Sequence, residues 1–263
     1  MRGDSQGDGG RGVALVREPV ARLAEGIVTH IERAPVDVGL AREQHAAYRA
    51  ALRAAGWRVR DVPAAPDCPD SVFVEDTVVV IGDLAVLTRP GAPERRGEVA
   101  GTREALDGLG LQVAEITAPG TLDGGDVLQV GDRVYVGRGG RSDDAGIARL
   151  AALAATRGRT VVPVGLGAVL HLKSAVTALP GGALIGLPDL VDTGALPPVR
   201  TAPEEPGAHV VPLGGPACLI AASAPETARL LDGLGHTPVP VDVSEFEKLE
   251  GCVTCLSVLI PAA

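Results

Sequence analysis

VVVIGDLAVLT, residues Val78 to Thr88, reads as an apolar strand, a tight Gly-Asp turn and a second apolar strand. Val and Ile favour extended chain, and Gly-Asp between two such runs is hairpin chemistry. The pattern returns as VLQVGDRVYVG (Val127 to Gly137), VTALPGGALIGL (Val176 to Leu187) and VVPLGGPACLIAA (Val210 to Ala222). Pro-Gly-Gly and Gly-Gly-Pro replace Gly-Asp in the last two. A pattern that recurs at a nearly fixed spacing marks a repeated supersecondary unit.

Working outward, the first two hairpins run into helical stretches, roughly Glu94 to Leu109 and Ser142 to Arg157. A further strand follows each, LQVAEIT from Leu111 and TVVPV from Thr160, so the unit is ββαβ. The fourth unit continues with a helix near Pro225 to Leu234 and a strand at His236 to Val241. A fifth is split between the chain ends. Its C-terminal part is LSVLI (Leu256 to Ile260). Its N-terminal part is VALVR (Val13 to Arg17), an amphipathic helix (Gly39 to Ala55) and WRVRDVP (Trp57 to Pro63). Five such units closing on themselves give one α/β domain over residues 13–263, a five-fold pseudosymmetric propeller. Met1 to Gly12, rich in Gly and Asp, reads as a flexible tail. On the repeat alone, an ordinary α/β sandwich with accidental internal similarity stays open.

Composition narrows the function classes. The hydrophobic share is 46% but the aromatic share only 2%, so the core must come from Val, Leu, Ile and Ala. A formal charge of −9 with no basic cluster argues against nucleic acid and is compatible with a small cationic substrate. No apolar run is long enough for a bilayer, and the N-terminus lacks the apolar segment of a signal peptide. The four cysteines, Cys68, Cys218, Cys252 and Cys255, form no disulfide framework in a chain this size. Reduced thiols in the cytoplasm are the expectation.

Polar residues collect at equivalent points of the units. Asp70, Glu75 and Asp76 precede or open the first hairpin, and Asp123 and Asp126 precede the second in LDGGD. His171 precedes the third, and Cys255 precedes the last strand in GCVTCLSVLI. In a cyclic array such positions converge near the axis. A Cys and a His brought together fit a nucleophile and its acid/base, and neighbouring carboxylates suit a planar guanidinium cation. Taken singly, each has a plainer reading: a small buried hydrophobe for Cys255, a satisfied structural His for His171, a turn or ion-pair partner for Glu75 and Asp76. Cys252-x-x-Cys255 also permits a redox pair or half a zinc site. No second CxxC and no His at metal spacing accompanies it, and Cys255 runs into a strand rather than a helix.

The words around these residues resemble the dimethylarginine dimethylaminohydrolase family of the pentein, or guanidine-modifying, superfamily. They are REPVARLAEGI (Arg17 to Ile27), PDSVFVEDTVVV (Pro69 to Val80), TRPGAPERRGE (Thr88 to Glu98), APGTLDGGDVL (Ala118 to Leu128), VYVGRGGRS (Val134 to Ser142), VLHLKS and KLEGCVTCLSVLI. The resemblance spans about Val13 to Ile260. It implies the pentein α/β propeller and hydrolysis of N-omega-methylated arginines to citrulline and dimethylamine or methylamine, through a covalent thiouronium on cysteine and without cofactor or metal. It implies that Cys255 is the nucleophile, His171 its acid/base and Asp123 the acid that positions the His. Asp70, Glu75 and Asp76 are then expected at the substrate's cationic and amino groups, and Arg95 and Arg141 at its carboxylate. Ile27 is expected in the loop covering the site, and the Leu249 carbonyl at the amino group. Cys252 is not a required part of that pattern.

Two other readings stand beside this one. An arginine deiminase acting on unmethylated arginine belongs to the same superfamily, but is typically longer by a helical domain. A non-catalytic amino-acid-binding or thiol-sensing module would keep the carboxylates and arginines without needing the Cys and the His. The expected partner is a small molecule, with neither nucleic acid nor membrane, and the protein is expected to be a monomer or homodimer.

Overall fold

The computed structural model describes residues 10–262. Residues 1–9 of the expected tail lie outside the described residues. The strands are β1 (Gly12–Val16), β2 (Arg58–Asp61), β3 (Val78–Ile81), β4 (Leu84–Leu87), β5 (Gln112–Glu115), β6 (Val127–Val130), β7 (Arg133–Arg138) and β8 (Thr160–Gly165). There follow β9 (Val176–Ala178), β10 (Leu184–Gly186), β11 (Val199–Thr201), β12 (Val210–Gly214), β13 (Ala217–Ala221), β14 (Thr237–Val241) and β15 (Val258–Pro261). The helices are α1 (Val38–Ala54), α2 (Val99–Ala105), α3 (Asp144–Ala155), α4 (Pro225–Gly233) and α5 (Ser244–Glu247).

They form five three-stranded sheets, β3-β4-β5, β6-β7-β8, β9-β10-β11, β12-β13-β14 and β15-β1-β2. In each, the first strand runs antiparallel to the middle one, and the third lies parallel to the middle one. The expected ββαβ repeat is therefore present, with the fifth unit closed by pairing Val13 to Ile260 across the chain ends. Gly12, expected in the tail, already pairs with Pro261 as the first residue of β1. Hairpin chemistry fixes the register: Ile81 faces Leu84 across a two-residue turn whose Gly82 has φ +61°. That is the left-handed position a strand-matched turn demands of its first central residue.

One unit departs from the repeat. Between β10 and β11 the chain makes only short 3-10 turns, Pro188–Leu190 and Thr193–Ala195. Pro188, Gly194, Pro197 and Pro198 crowd this stretch and forbid a helix. Elsewhere helices form, and α1 and α3 are stapled by one apolar face and an Asp cap. α1 buries Ala41, Tyr48 and Leu52, and the Asp37 carboxylate accepts from the Gly39 and Leu40 amides at its start. In α3, Ile147 and Leu150 pack with Val86, Val134 and Val136 between the first two units. Trimming Leu150 to Ala there costs about 2–5 kcal/mol.

The five inner strands β3, β6, β9, β12 and β15 surround an axial cavity of about 270 Å³, lined by residues such as Val79, Leu128, Thr177, Val211 and Val258. Arg17, wholly buried after β1, ties the closing unit to the first. It donates to the carbonyls of Pro63 and Ser71 at 3.0 Å and of Glu98 at 2.7 Å. Among the described residues no helix is long and apolar enough to cross a membrane.

Candidate active site

A short turn precedes the inner strand in the first, second, third and fifth units, and the chemical residues sit on those turns. Asp70 lies in the turn Pro69–Val72, and Glu75 and Asp76 in Val74–Thr77. Asp123 caps the turn Gly124–Asp126, and His171 caps Leu172–Ser174. Cys255 sits in the turn before β15, where Tyr48 from α1 anchors both flanks. The Tyr48 hydroxyl lies 2.8 Å from the Val253 carbonyl and 2.7 Å from the Ser257 hydroxyl.

Ile27, Asp70, Asp76, Arg95, Arg141, His171, Leu249 and Cys255 line one closed cavity of about 20 Å³, together with Phe73, Leu170, Glu250 and Gly251. Two of the expected residues stand outside that lining. Asp123 lies behind His171, and Glu75 faces the axial cavity beside Lys173.

His171 is buried among carboxylates. Its Nε2 lies 3.0 Å from Asp123 Oδ2, and its Nδ1 lies 3.9 Å from Asp76 Oδ1. Burial disfavours the imidazolium, but Asp76, Asp123 and Asp126 outweigh it and push the His171 pKa up to about 9. Asp123 is fixed in turn: the Gly91 amide donates to its Oδ1 at 2.8 Å, and its own amide donates to Ser142 Oγ at 3.1 Å. Ser142 donates to Asp126 at 2.6 Å, and Asp126 accepts the Leu172 amide next to His171 at 3.0 Å. The glycine pair in LDGGD has a steric reason. A Cβ on Gly125 would sit 2.6 Å from His171 Nδ1, and one on Gly124 would sit 2.0 Å from the Glu75 carbonyl.

Arg95 is consumed by its neighbours. It donates to Asp76 at 2.6 Å, to both Glu98 oxygens at 2.9 Å, and to the Asp70 and Phe73 carbonyls. With His171 it overcomes the burial penalty and holds the Asp76 carboxyl well below the usual range. Arg141 is different. Its Nη1 is buried without a hydrogen-bond partner and lies 3.9 Å from Asp123. Glu75 pairs with Lys173 Nζ at 2.5 Å, while its Oε2 is buried and unpartnered. Burial pushes Glu75 up to about 7, against the pull of Lys173.

The segment around Ile27 closes the cavity. Its amide donates to both Asp70 oxygens at 3.1 Å, and the Thr29 and His30 amides donate to Glu250 at 2.6 and 2.7 Å. Glu250 holds this latch from a left-handed backbone, φ +59°. Cys255 itself is 8% exposed, with its Sγ 3.2 Å from Cys252 Sγ. That hydrogen bond, burial and the Glu75 and Asp76 carboxylates push the Cys255 thiol up.

Asp76, Asp123 and His171 also bring ligand atoms within 4.8 Å of one another. Their oxygens are already taken by Arg95, the Gly91 and Gly125 amides and His171 itself. Two guanidiniums stand beside them, so the cluster suits an imidazolium better than a metal ion.

No family model matches the chain. Among curated proteins it is 60% identical over 246 residues to the N(G),N(G)-dimethylarginine dimethylaminohydrolase of Streptomyces coelicolor, covering 93% of this chain and 95% of the other. The chain belongs to the dimethylarginine dimethylaminohydrolase family. The Pseudomonas aeruginosa protein of the same name is 32% identical over 250 residues, covering 92% and 97%. The solved structure of a Cys-to-Ser variant of the Pseudomonas aeruginosa enzyme, complexed with citrulline, superposes with a TM-score of 0.86 at 30% identity, covering 95% and 99%. The pentein fold expected from the repeat is thus the fold of this dimethylarginine dimethylaminohydrolase family member.

Sequence reading left several supports of the family site unassigned. Asp126 and Ser142 lie inside the quoted words LDGGD and GRGGRS, yet only the fold reveals that they brace Asp123 and His171. Lys173 follows His171 by two residues in VLHLKS, and nothing local ties it to Glu75, 98 residues away. Glu250 looks like a surface carboxylate until its two amide partners are seen.

Proposed function

We propose that the protein hydrolyses N-omega-methylated arginines, asymmetric dimethylarginine and monomethylarginine, to citrulline and dimethylamine or methylamine. The observation that carries this is the single cavity shared by Cys255, His171, Asp70, Asp76 and Arg141, in a chain 60% identical to a dimethylarginine dimethylaminohydrolase. The cavity, about 20 Å³, must widen to take an arginine, and the Ile27 segment lifting off Asp70 is the motion that widens it. The carboxylate freed by that motion takes the α-amino group, with the Leu249 carbonyl, and Arg141's orphaned Nη1 takes the α-carboxylate. Arg95 contributes by fixing Asp76 and lines the same cavity as Arg141.

The guanidinium enters among Asp76, Glu75 and Cys255. Its positive charge stabilises the thiolate, so substrate binding releases the Cys255 proton to solvent. Paired N–H groups on Asp76 set the guanidinium carbon in line with the sulfur, and Glu75, behind on the axial side, adds its negative charge. Cys255 Sγ attacks that carbon. His171, charged in the empty site, delivers its proton to the leaving amine nitrogen, and the C–N bond breaks. The neutral imidazole then takes a proton from water, whose oxygen attacks the thiouronium carbon. Collapse of that adduct breaks the C–S bond and frees citrulline.

The four free, buried cysteines suit the reducing cytoplasm, where the protein is proposed to act as a monomer or homodimer. The test is a product assay with asymmetric dimethylarginine, monomethylarginine, arginine and agmatine offered separately. Citrulline release from the methylated arginines with kcat/KM well above that for arginine is expected. Preference for arginine would move the protein to the deiminase reading, and no release from any of them would discard catalysis.

A further inference from the structure

Cys252 has no part in the chemistry above, yet it sits against the nucleophile. Its Sγ lies 3.2 Å from Cys255 Sγ and 3.1 Å from Thr254 Oγ1. The two backbones are already bent toward each other, because the Cys255 amide donates to the Cys252 carbonyl at 3.1 Å. Such an i to i+3 turn holds its end Cα atoms within about 7 Å, and a disulfide needs about 4.4–6.8 Å. The sulfurs differ in access. Both belong to the apolar cluster with Phe73 and Val253, but Cys255 lines the substrate cavity and Cys252 does not. A nucleophilic sulfur lining a cavity, with a second thiol 3.2 Å away, is the pairing that can resolve thiol oxidation. A cysteine placed only to fill core volume would not need to point its sulfur at the nucleophile.

We propose that Cys252 is the resolving thiol of an oxidative modification site, closing a reversible Cys252–Cys255 disulfide that switches the enzyme off under peroxide. The inference rests on the reading of Cys255 as the nucleophile. The oxidant is a hydroperoxide, hydrogen peroxide in the simplest case. Cys255 sulfur attacks one peroxide oxygen, the S–O bond forms, the O–O bond breaks, and the departing hydroxide takes the thiol proton to become water. Cys252 sulfur then attacks Cys255 sulfur, the S–S bond forms, and the S–O bond breaks. The second hydroxide leaves as water with the Cys252 proton. Two thiols lose two electrons and one peroxide gains them. The disulfide occupies the nucleophile's sulfur before further peroxide can carry it to the irreversible sulfinic state.

The experiment treats the full protein with excess hydrogen peroxide, then with dithiothreitol, and reads turnover and peptide mass. Trypsin cleavage after Lys248 releases Leu249 to Ala263, which holds both cysteines and neither Cys68 nor Cys218. In the wild type the peptide should lose the mass of two hydrogens as activity falls at least about tenfold, and dithiothreitol should restore both. In Cys252→Ala, turnover is read relative to the same variant untreated, because Cys252 hydrogen-bonds the nucleophile. Peroxide should then add two or three oxygens to Cys255, and dithiothreitol should not recover the activity. Cys252→Ser serves the same comparison if the Ala variant folds poorly. A wild-type peptide that gains oxygen without losing two hydrogens overturns the proposal. So does equal recovery of the wild type and the variant after the same excess. The mass reading does not depend on turnover. A disulfide in a protein that cleaves no methylated arginine would retain the thiol pair and discard the substrate, whereas a turning-over enzyme without the disulfide would discard the pair alone.

Discussion

His171 Nε2 lies 3.0 Å from Asp123 Oδ2, while the other ring nitrogen faces Asp76 at 3.9 Å. One carboxylate orients the ring by direct contact, and the other adds field from the cavity side. Asp123→Asn keeps the size and removes the charge. It should lower kcat by about 10²-fold or more while leaving KM within a few-fold, since Asp123 does not line the cavity. Steady-state kinetics of the variant check this. A raised KM with normal kcat would mean that Asp123 acts on substrate binding instead.

The pH profile follows from the same cluster. His171 must carry its proton to release the amine, and its pKa is about 9, so kcat/KM should fall above that pH. Glu75 titrates at about 7 and must be ionised to add its charge beside the guanidinium, so the rising limb lies near neutrality, while substrate binding removes the Cys255 proton. The expected curve is a bell with its maximum between the two. A rate still rising well beyond pH 10 would remove His171 as the acid.

Stability should move with pH in one direction. His171 is raised in the folded protein, so its contribution is complete below an unfolded value of 6.5 and fades as pH rises through about 9. Glu75 and Asp126 are also raised, to about 7 and 6, and their contributions fade as pH rises through those values. Urea unfolding at pH 5 and pH 9.5 should therefore show a loss at the higher pH, of which His171 alone accounts for about 3 kcal/mol. The difference should shrink in His171→Gln.

The two arginines should separate. Arg141→Ala removes a donor with no protein partner, so KM should rise about tenfold or more with an unchanged melting temperature. Arg95→Ala strands Asp76 and Glu98, both buried, and should cost about 3–5 kcal/mol in unfolding free energy. Kinetics and denaturant titration of both variants decide whether the roles are divided this way.

Glu250 should act as a latch. Glu250→Ala removes the acceptor for two amides, so hydrogen exchange at Thr29 and His30 should speed up while β1 stays protected. Unchanged exchange at those amides would mean the segment is held by Asp70 and Arg33 alone.

The repeat was legible because each unit spells its own hairpin, and Val, Ile and glycine turns act locally. Equivalent positions then brought Asp70, Asp76, His171 and Cys255 to one cavity without further information. What stayed hidden depends on contacts across the chain. The prolines that erase the third helix are visible, but their effect on the unit was not drawn from them. The Glu75–Lys173 and Asp126–Ser142 pairs join turns of different units, and no local signal encodes them. Arg95 and Arg141 look alike in sequence, and only burial among Asp76 and Glu98 makes one a brace.

The most direct test of Cys255 as the attacking thiol is citrulline release from asymmetric dimethylarginine by the wild type and by Cys255→Ser, with circular dichroism confirming the fold of each. Serine keeps the position and removes the thiolate. The wild type should release citrulline and dimethylamine in equal amounts, and Cys255→Ser should be slower by at least about 10⁴-fold. A folded Cys255→Ser variant that turns over within about tenfold of the wild type would contradict the account.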